Sequence, residues 1–298
     1  MEAAEAGGST SKRSAGRRLA DLFNGRPRLQ VGTLLAGPVG WLVIGYLGSL
    51  AVLLIASFWE VDPLSGEVVR NLSLTNFQTL IDEPVYRTIA LRTIVIAGLV
   101  TVTDVLLALP IAFYMAKVAS RRGKALLVVA VLLPLWSSYL VKVYSWRTIL
   151  SENGPLNWLL DPLGLHGPGF GNVAVWLVMS YLWLPYMILP IYAGLERIPN
   201  SLISASEDLG ARPGHTFRRV IMPLVFPAIV AGSIFTFSLT MGDYITPRLV
   251  SNNQFIGNVV FNNITNDLPL ASAFAVVPIL VMIGYLLVAR RLGAFEHI

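Results

Sequence analysis

Hydrophobic residues fall along the chain in six long runs, which polar and charged stretches separate. Each run reaches the roughly 20 residues that an α-helix needs to cross the apolar layer of a bilayer. A helix satisfies its own backbone hydrogen bonds and is therefore the form such a run takes in lipid. The pattern predicts an all-α integral membrane protein with transmembrane helices at about 31–59, 93–116, 125–150, 173–195, 220–242 and 268–289.

The composition agrees with this pattern and excludes several kinds of site. Of the 298 residues, 55% are hydrophobic and 13% are charged, which leaves more apolar surface than a water-soluble domain of this length could cover. The chain has no cysteine, so disulfides, thiolate metal sites and thiol nucleophiles are excluded. The histidines, His166, His215 and His297, are widely separated. We therefore expect neither a metal site nor catalytic residues.

The basic residues orient the predicted helices. A tail at 1–28 is rich in Ala, Gly, Ser and Arg without a sustained apolar face, and we expect it to be disordered and cytoplasmic, preceding a membrane domain at 29–298. Most of the 22 Lys and Arg residues lie in this tail or in alternate connections, at 117–124, 197–219 and 290–291. Because cytoplasmic loops are enriched in these residues, both termini are predicted to be cytoplasmic. The same distribution points to membrane lipid, and not nucleic acid, as the partner of the positive charge.

The connection at 196–219 has an unusual order of helix formers and helix breakers. Pro199 and Asn200 can start a short helix, Gly210 can provide a sharp turn, and Pro213 suits the first turn of a second helix. The segment predicts two short helices bent at Gly210 on the cytoplasmic face. The residues alone favour a different interpretation, an amphipathic loop resting on lipid headgroups, although that interpretation explains the basic residues and not the Gly and Pro positions.

The sequence at 204–211, SASEDLGA, followed by Phe217, Val220 and Pro223, resembles the EAA loop of binding-protein-dependent ABC importer permeases. In that family the loop forms a coupling helix that docks on the ATP-binding subunit. Here Ser204 stands where the family usually has an acidic residue, and Glu207 could replace that acid. The resemblance implies that the ATPase-coupling residues are Ser204, Ala205, Glu207, Asp208, Gly210, Ala211 and Phe217.

Four further stretches, at 133–150, 183–199, 242–250 and 266–277, are similar to spermidine/putrescine-type permeases. The resemblance implies the six-helix type I (MetI-like) fold and a channel-forming subunit in a bacterial inner membrane. It also implies four kinds of partner: two ATP-binding subunits, a second homologous permease, an extracytoplasmic solute-binding protein and lipid. The chain has no phosphate-binding Gly-x4-Gly-Lys-Ser/Thr motif, so ATP and Mg²⁺ are expected on the partner and no cofactor on this chain.

Six residues are candidates for the solute pathway. Asp104 is the only charge in the second predicted span and could contact a cationic amine, or instead form a helix-to-helix hydrogen bond. The third span carries aromatic residues at helical spacing, which suit either cation–π contacts or an interfacial belt. Two residues close the fifth span, where the alternative role is helix termination. These aromatic and terminal candidates are Trp136, Tyr139, Trp146, Asp243 and Tyr244.

Two other classes of function were considered. A membrane-embedded enzyme would need clustered acids, histidines or a nucleophile with a base inside the spans, whereas this chain offers one isolated Asp. A passive channel would not need the bent loop at Gly210. An importer permease is therefore the function that the sequence favours.

Overall fold

The computed structural model describes residues 27–291 of the chain, of which 27–30 and 33 are described by their backbone only. The predicted tail lies outside the described residues, except that its last two positions, Pro27 and Arg28, already belong to a helix. The chain divides into two compact units between Ile55 and Ala56. The first unit is described by α1 (Pro27–Trp41), a π-helical stretch (Leu42–Leu47) and α2 (Gly48–Ala56), which run on as one helix.

Leu34–Ala56 within this first helix is long and apolar enough to cross a membrane. Its side chains are largely exposed; Trp41 and Ile44, for example, are 82% and 78% exposed. Apolar residues on the outside of a helix are costly in water but not in lipid. The helix ends three residues before the predicted limit at 59, because the backbone turns there and Trp59 N donates to Ala56 O at 3.0 Å.

The second unit begins with the outer loop predicted at 60–92. A two-stranded antiparallel sheet pairs β1 (Glu60–Val61) with β2 (Val68–Val69), with Glu60 opposite Val69. A short amphipathic helix, α3 (Thr75–Asp82), follows the sheet. Asn76 Nδ2 donates to the carbonyl oxygens of Ser57 and Trp59, at 3.2 and 2.7 Å, and so ties α3 to the beginning of the loop.

Four more long helices could cross a membrane. The second span, Pro84–Val118, consists of α4 (Pro84–Phe113) and a π-helical end (Tyr114–Val118), and it starts nine residues before the predicted 93. Arg87 and Arg92 ended the apolar run in the sequence, but charged residues continue a helix readily once it leaves the hydrocarbon. The remaining long helices are α8 (Asn172–Glu196), the span Pro213–Gly242 and α14 (Leu268–Arg291).

The third predicted span is not one helix. It consists of α5 (Arg121–Trp136) and α6 (Tyr139–Leu150), whose axes differ by 90°. The prediction of a continuous helix over 125–150 is therefore wrong. Ser137 and Ser138 have extended backbones, with ψ angles of 149° and 131°. The Pro134 carbonyl, freed by the break, accepts from Ser137 Oγ at 2.8 Å and from Lys142 Nζ at 3.0 Å, so polar side chains satisfy the broken end.

The core of the second unit lies between α4, α8 and the span Pro213–Gly242, whose main helix is α11 (Met222–Gly242). Two glycines allow α8 and α11 to approach closely. A Cβ on Gly194 would lie 2.6 Å from the Ala228 Cβ, and one on Gly232 would lie 3.2 Å from the Met187 Cα. Small residues at such contacts are typical of helices that pack inside a membrane.

Short helices fill the remaining connections. The connection between α6 and α8 contains α7 (Pro155–Leu160) and a single 3₁₀ turn (Asp161–Leu163). The connection between α8 and α11 holds α9 (Asn200–Asp208) and α10 (Pro213–Thr216), and α10 continues through a π-helical turn (Phe217–Ile221) into α11. Beyond α11 the chain forms α12 (Ile245–Val250) and α13 (Ile256–Asn263).

Candidate functional site

The bend in the connection between α8 and α11 lies at Gly210, between α9 and α10. Gly210 has a φ of +80°, in the left-handed region that glycine adopts without steric cost. Gly210 N donates to Glu207 O at 2.8 Å and Ala211 N donates to Ser206 O at 3.1 Å. These bonds close the end of α9 in the manner of a Schellman motif, so the turn is well determined by its own backbone.

The candidate coupling residues divide into two groups. Ser204, Ala205, Glu207 and Asp208 are exposed on α9, and Leu209 after them is 89% exposed. Neither carboxylate has an ion-pair or hydrogen-bond partner among residues 27–291. The exposed face of α9 therefore presents the unpaired carboxylates of Glu207 and Asp208 to a partner, together with the Leu209 side chain that follows the helix.

The remaining coupling candidates, Ala211 and Phe217, lie where the loop is held in its shape, and Ser206 and Thr216 contribute to the same contacts. Ser206 Oγ and Thr216 Oγ1 are 2.9 Å apart and join α9 to α10 across the turn. The Phe217 ring meets the Phe113 ring of α4 edge-on, with centroids 5.8 Å apart. Ala211 is half-buried beside the turn. The loop is thus clamped internally and packed on α4, while its α9 face remains open.

A basic cleft adjoins the bend. Its volume is about 750 Å³, and its lining includes Arg212, His215, Arg218 and Arg219. No acid of the described chain forms an ion pair with these arginines. Together with the acids of α9, they give this face both signs of charge within a few residues.

The outer candidate Asp243 lies at the break between α11 and α12. Its Oδ1 accepts from the backbone N–H groups of Ile245 and Thr246, at 2.9 and 3.2 Å. Its Oδ2 accepts from the Tyr139 hydroxyl at 2.5 Å and from the Thr246 hydroxyl at 2.6 Å. One carboxylate therefore caps α12 and binds the first residue of α6, which joins the two helix breaks. We call Tyr139, Asp243 and Thr246 the outer staple.

Tyr244, the neighbouring candidate, belongs to the outer connection. Its ring stacks on Phe261 of α13, with centroids 4.4 Å apart and planes 11° from parallel. Its carbonyl accepts from Asn258 Nδ2 at 2.8 Å. The Arg248 guanidinium lies 5.3 Å from the centroid of the same Phe261 ring. These contacts give Tyr244 a role in fixing α13 against α12.

The three aromatic candidates of the third span do not form the stripe that continuous helical spacing predicts. Trp136 lies on α5 and is 91% exposed, whereas Tyr139 and Trp146 lie on α6 beyond the 90° break. Their true neighbours are aromatics of α8, since Tyr139 stacks on Trp183 at 6.0 Å and Trp146 meets Tyr181 at 5.4 Å. The fourth span carries four aromatic rings within eleven residues, and this density is the feature of the sequence that could have predicted an aromatic contact with the third span. These overlooked rings are Trp176, Tyr181, Trp183 and Tyr186.

Asp104 is completely buried in α4. Neither carboxyl oxygen has a hydrogen-bond partner among residues 27–291, so the helix-to-helix bond considered from the sequence is not formed. The adjacent Thr103 hydroxyl accepts from Trp176 Nε1 at 3.0 Å. On α8, Ser180 Oγ and Trp183 Nε1 are also buried without a partner. Unpaired buried polar groups are rare and costly, and this set is concentrated on α4 and α8.

The described residues contain no group of three or more His, Asp or Glu side chains that could hold a metal ion. The arrangement consists of an open helix on the inner side, a closed staple on the outer side and an unpaired acid within the bundle. Nothing in it resembles a nucleophile with a base.

Comparison with known sequences gives a consistent family. A family model described as binding-protein-dependent transport system inner membrane component matches residues 89–295. The inner membrane ABC transporter permease protein YdcU of Escherichia coli K12 is 43% identical over 297 residues, covering 94% of this chain and 95% of YdcU. The spermidine/putrescine transport system permease protein PotB of the same strain is 32% identical over 262 residues, covering 85% and 94% of the two chains.

Solved structures give the same fold. A chain of a bacterial ABC transporter involved in the import of the acidic polysaccharide alginate superposes with a TM-score of 0.69 at 19% identity, covering 92% of this chain and 99% of that one. A chain of the MetNI methionine ABC transporter gives a TM-score of 0.55 at 15% identity, covering 70% and 94%. At these identities the likeness concerns the fold.

Proposed function

This chain belongs to the family of binding-protein-dependent transport system inner membrane components, and we propose that it is the permease subunit of an importer for polyamines such as spermidine or putrescine. Membership makes it a multi-pass component of an ABC importer in a bacterial inner membrane, and not an enzyme. The α9 face carries the importer role furthest, because it is exposed, it precedes the bend at Gly210, and its carboxylates have no partner among residues 27–291.

The coupling role is proposed for the whole loop. Ser204, Ala205, Glu207 and Asp208 would contact an ATP-binding subunit, with Glu207 supplying the acid that Ser204 lacks. Gly210, Ala211 and Phe217 would set the angle at which that face is presented. ATP and Mg²⁺ would then be bound by two partner subunits, and a second permease would complete the channel. The basic inner ends, from Lys117 to Arg291, support cytoplasmic termini.

The polyamine assignment rests on similarity to PotB and on the charges in the spans. Asp104 offers a buried carboxyl with no competing partner among residues 27–291, which suits transient contact with an ammonium group. Lys142 carries a charge that repels such a solute, and its hydrogen bond to the neutral Pro134 carbonyl holds the ammonium group at the broken helix end. The aromatics of α6 and α8 add faces for cation–π contact. Solute would arrive from an extracytoplasmic binding protein when the outer staple opens.

The coupling role is tested by a matched pair of glycine variants. Gly210 and Gly214 both have open space where a Cβ would lie, but only Gly210 has a positive φ. Gly210→Val should therefore distort the bend, and Gly214→Val should not, because α10 tolerates a side chain. We expect affinity purification in mild detergent to recover an ATP-binding subunit with wild type and Gly214→Val, and to lose most of it with Gly210→Val.

A folded wild-type protein that binds no ATP-binding subunit, under conditions that keep other importers intact, would contradict the coupling role. That result would favour the passive channel considered from the sequence. Equal recovery with both variants would leave the importer in place and reject the bend as its determinant.

The solute is tested with Asp104→Asn in cells that lack other polyamine uptake. Asparagine keeps the shape and removes the charge, so the protein should fold while uptake of radiolabelled putrescine falls by about tenfold, the effect of losing one charge-assisted contact. Ser180→Ala removes another unpaired polar group nearby and serves as the control. Uptake and stability unchanged in Asp104→Asn would reject this residue as part of the pathway.

A further inference from the structure

Two lysines join the inner ends of α4 and α8 to the start of the coupling loop. Lys117, in the π-helical end of the second span, donates from Nζ to the Ile198 carbonyl at 2.6 Å and to Asn200 Oδ1 at 3.2 Å. Ile198 lies between the end of α8 and the start of α9, and Asn200 is the first residue of α9. The bonds therefore link the coupling helix to a span that is more than 80 residues away in the sequence.

A second lysine, Lys124, joins the ends of the same helices. Lys124, near the start of α5, forms an ion pair with Glu196 at the end of α8, and its Nζ donates to Ala116 O at 3.3 Å. Each lysine thus lies at the carboxyl end of a long helix, where carbonyls lack partners and the helix dipole favours a cation. Lys117 donates to a carbonyl in the segment after α8, and Lys124 donates to a carbonyl at the end of the second span.

The Lys117 bond has no substitute at the beginning of α9. The N-cap residue is Pro199, which makes no side-chain cap, and the Ile198 side chain is 5% exposed. A carbonyl in that setting needs a donor, because an unpaired one costs on the order of 1–3 kcal/mol. The position of the first turn of α9 is therefore determined largely by a side chain at the π-helical end of the second span.

The far end of the loop meets the same helix. Phe217 packs on Phe113, and Ile221 lies in one apolar cluster with Met115 and Ile198. The loop is joined covalently to α8 and α11, yet non-covalent contacts fasten both of its ends to the second span. The same span carries Asp104, whose carboxyl has no partner among residues 27–291.

We propose that Lys117 is a positioning residue that fastens the coupling helix to the inner end of the second span, so that movement of α9 on the ATP-binding subunit is passed to that span. Lys124, through its ion pair with Glu196, holds the end of α8 beside the same helix end. The proposal rests on the coupling role proposed above and adds which helix receives the movement. Without Lys117, α9 would still dock but would move apart from the second span.

The chain has no cysteine, which allows two spin labels to be introduced without background. Val118→Cys marks the end of the second span and Ser201→Cys marks α9; both positions are exposed. The distance between the labels is measured in the assembled importer, in nanodiscs with cysteine-free partner subunits, before and after addition of MgATP and vanadate. With Lys117 present, we expect one narrow distance that nucleotide does not change.

Lys117→Met keeps the side-chain length and removes the donors. We expect it to retain the ATP-binding subunit and ATP hydrolysis, to show a second, longer distance with nucleotide, and to import roughly tenfold less putrescine per ATP hydrolysed. Lys117→Arg should restore the narrow distance, because guanidinium can reach the same oxygens. Arg122→Met removes an exposed positive charge on the same inner face and should change neither measurement.

Other outcomes overturn the proposal in distinguishable ways. Identical distances and identical import per ATP in wild type and Lys117→Met would reject it. Loss of the ATP-binding subunit from Lys117→Met alone would assign Lys117 to docking, and absence of that subunit from wild type would reject the coupling role itself. If Lys117→Met does not fold, Lys117→Gln takes its place, because its shorter, uncharged side chain loses the reach to the Ile198 carbonyl, and an unchanged distance there would also reject the proposal.

Discussion

The outer staple and the coupling helix are both built around short, polar segments at helix breaks, but they differ in how their polar groups are satisfied. At the staple, the Asp243 carboxylate receives four donors, all from this chain. On α9, Glu207 and Asp208 receive none from the described residues. The outer site is satisfied within one subunit, and for the inner site we propose that a partner supplies the missing contacts. A substitution should therefore reduce stability at the first site and assembly at the second.

The largest effect on stability is expected from Asp243→Ala. The change leaves the Thr246 hydroxyl and two backbone N–H groups without their acceptor, and it leaves the Tyr139 hydroxyl only Thr246 Oγ1, 2.8 Å away, to donate to. The loss should cost about 3 kcal/mol and lower the melting temperature in detergent. Asp161→Ala, which removes an exposed carboxylate of the outer connection, is the matched control and should leave the melting temperature unchanged. If the two variants have the same melting temperature, the outer staple does not stabilise the two helix breaks.

Removal of one bond should have a smaller effect of the same sign. Tyr139→Phe keeps the stack on Trp183 and loses only the hydroxyl, for which about 1 kcal/mol is expected. The loss should appear as a smaller decrease in melting temperature than in Asp243→Ala. A decrease as large as that of Asp243→Ala would mean that the Tyr139 bond, and not the cap on α12, carries the staple.

The opposite result is expected on α9. Glu207→Ala with Asp208→Ala should alter the free energy of unfolding of the isolated chain by less than about 0.5 kcal/mol, because both side chains are exposed and unpaired. The same variant should bind the ATP-binding subunit measurably more weakly in pull-down titrations. A destabilised chain with normal binding would invert the comparison between the two regions.

The smallest effect is expected in the outer hairpin. Hydrogen bonds from Ser73 and Thr75 hold the pKa of Glu60 below its ordinary value of 4.5. A lowered pKa in the folded state stabilises the hairpin above the ordinary pKa, and this stabilisation is lost as pH falls through the lowered value. The protection of the hairpin amides against hydrogen exchange, expressed relative to the intrinsic exchange rate at each pH, should therefore decrease in mild acid. Glu60→Gln should remove that dependence, and an identical pH profile in the variant would contradict the assignment.

Much of the fold follows from local patterns. The runs at 31–59 and 268–289 became helices within a few residues of their predicted ends, because lipid solvation depends on the composition of each segment. Gly210 could be assigned to the bend, because it lies between the starting signals of two short helices and glycine adopts a positive φ without steric cost. The early start of the second span was missed, because Arg87 and Arg92 end an apolar run without ending a helix.

The sequence by itself determined which segments enter lipid, where the inner loop bends and which family the chain resembles, because each depends on neighbouring residues. Only the tertiary structure decided the 90° break before α6, the bond between Tyr139 and Asp243 and the bond between Lys117 and Ile198. Those contacts join residues far apart in the chain and depend on how helices meet. Asp104 illustrates both contributions. The sequence shows its charge, whereas only the packing of α4 against its neighbours shows that its carboxyl has no partner among residues 27–291.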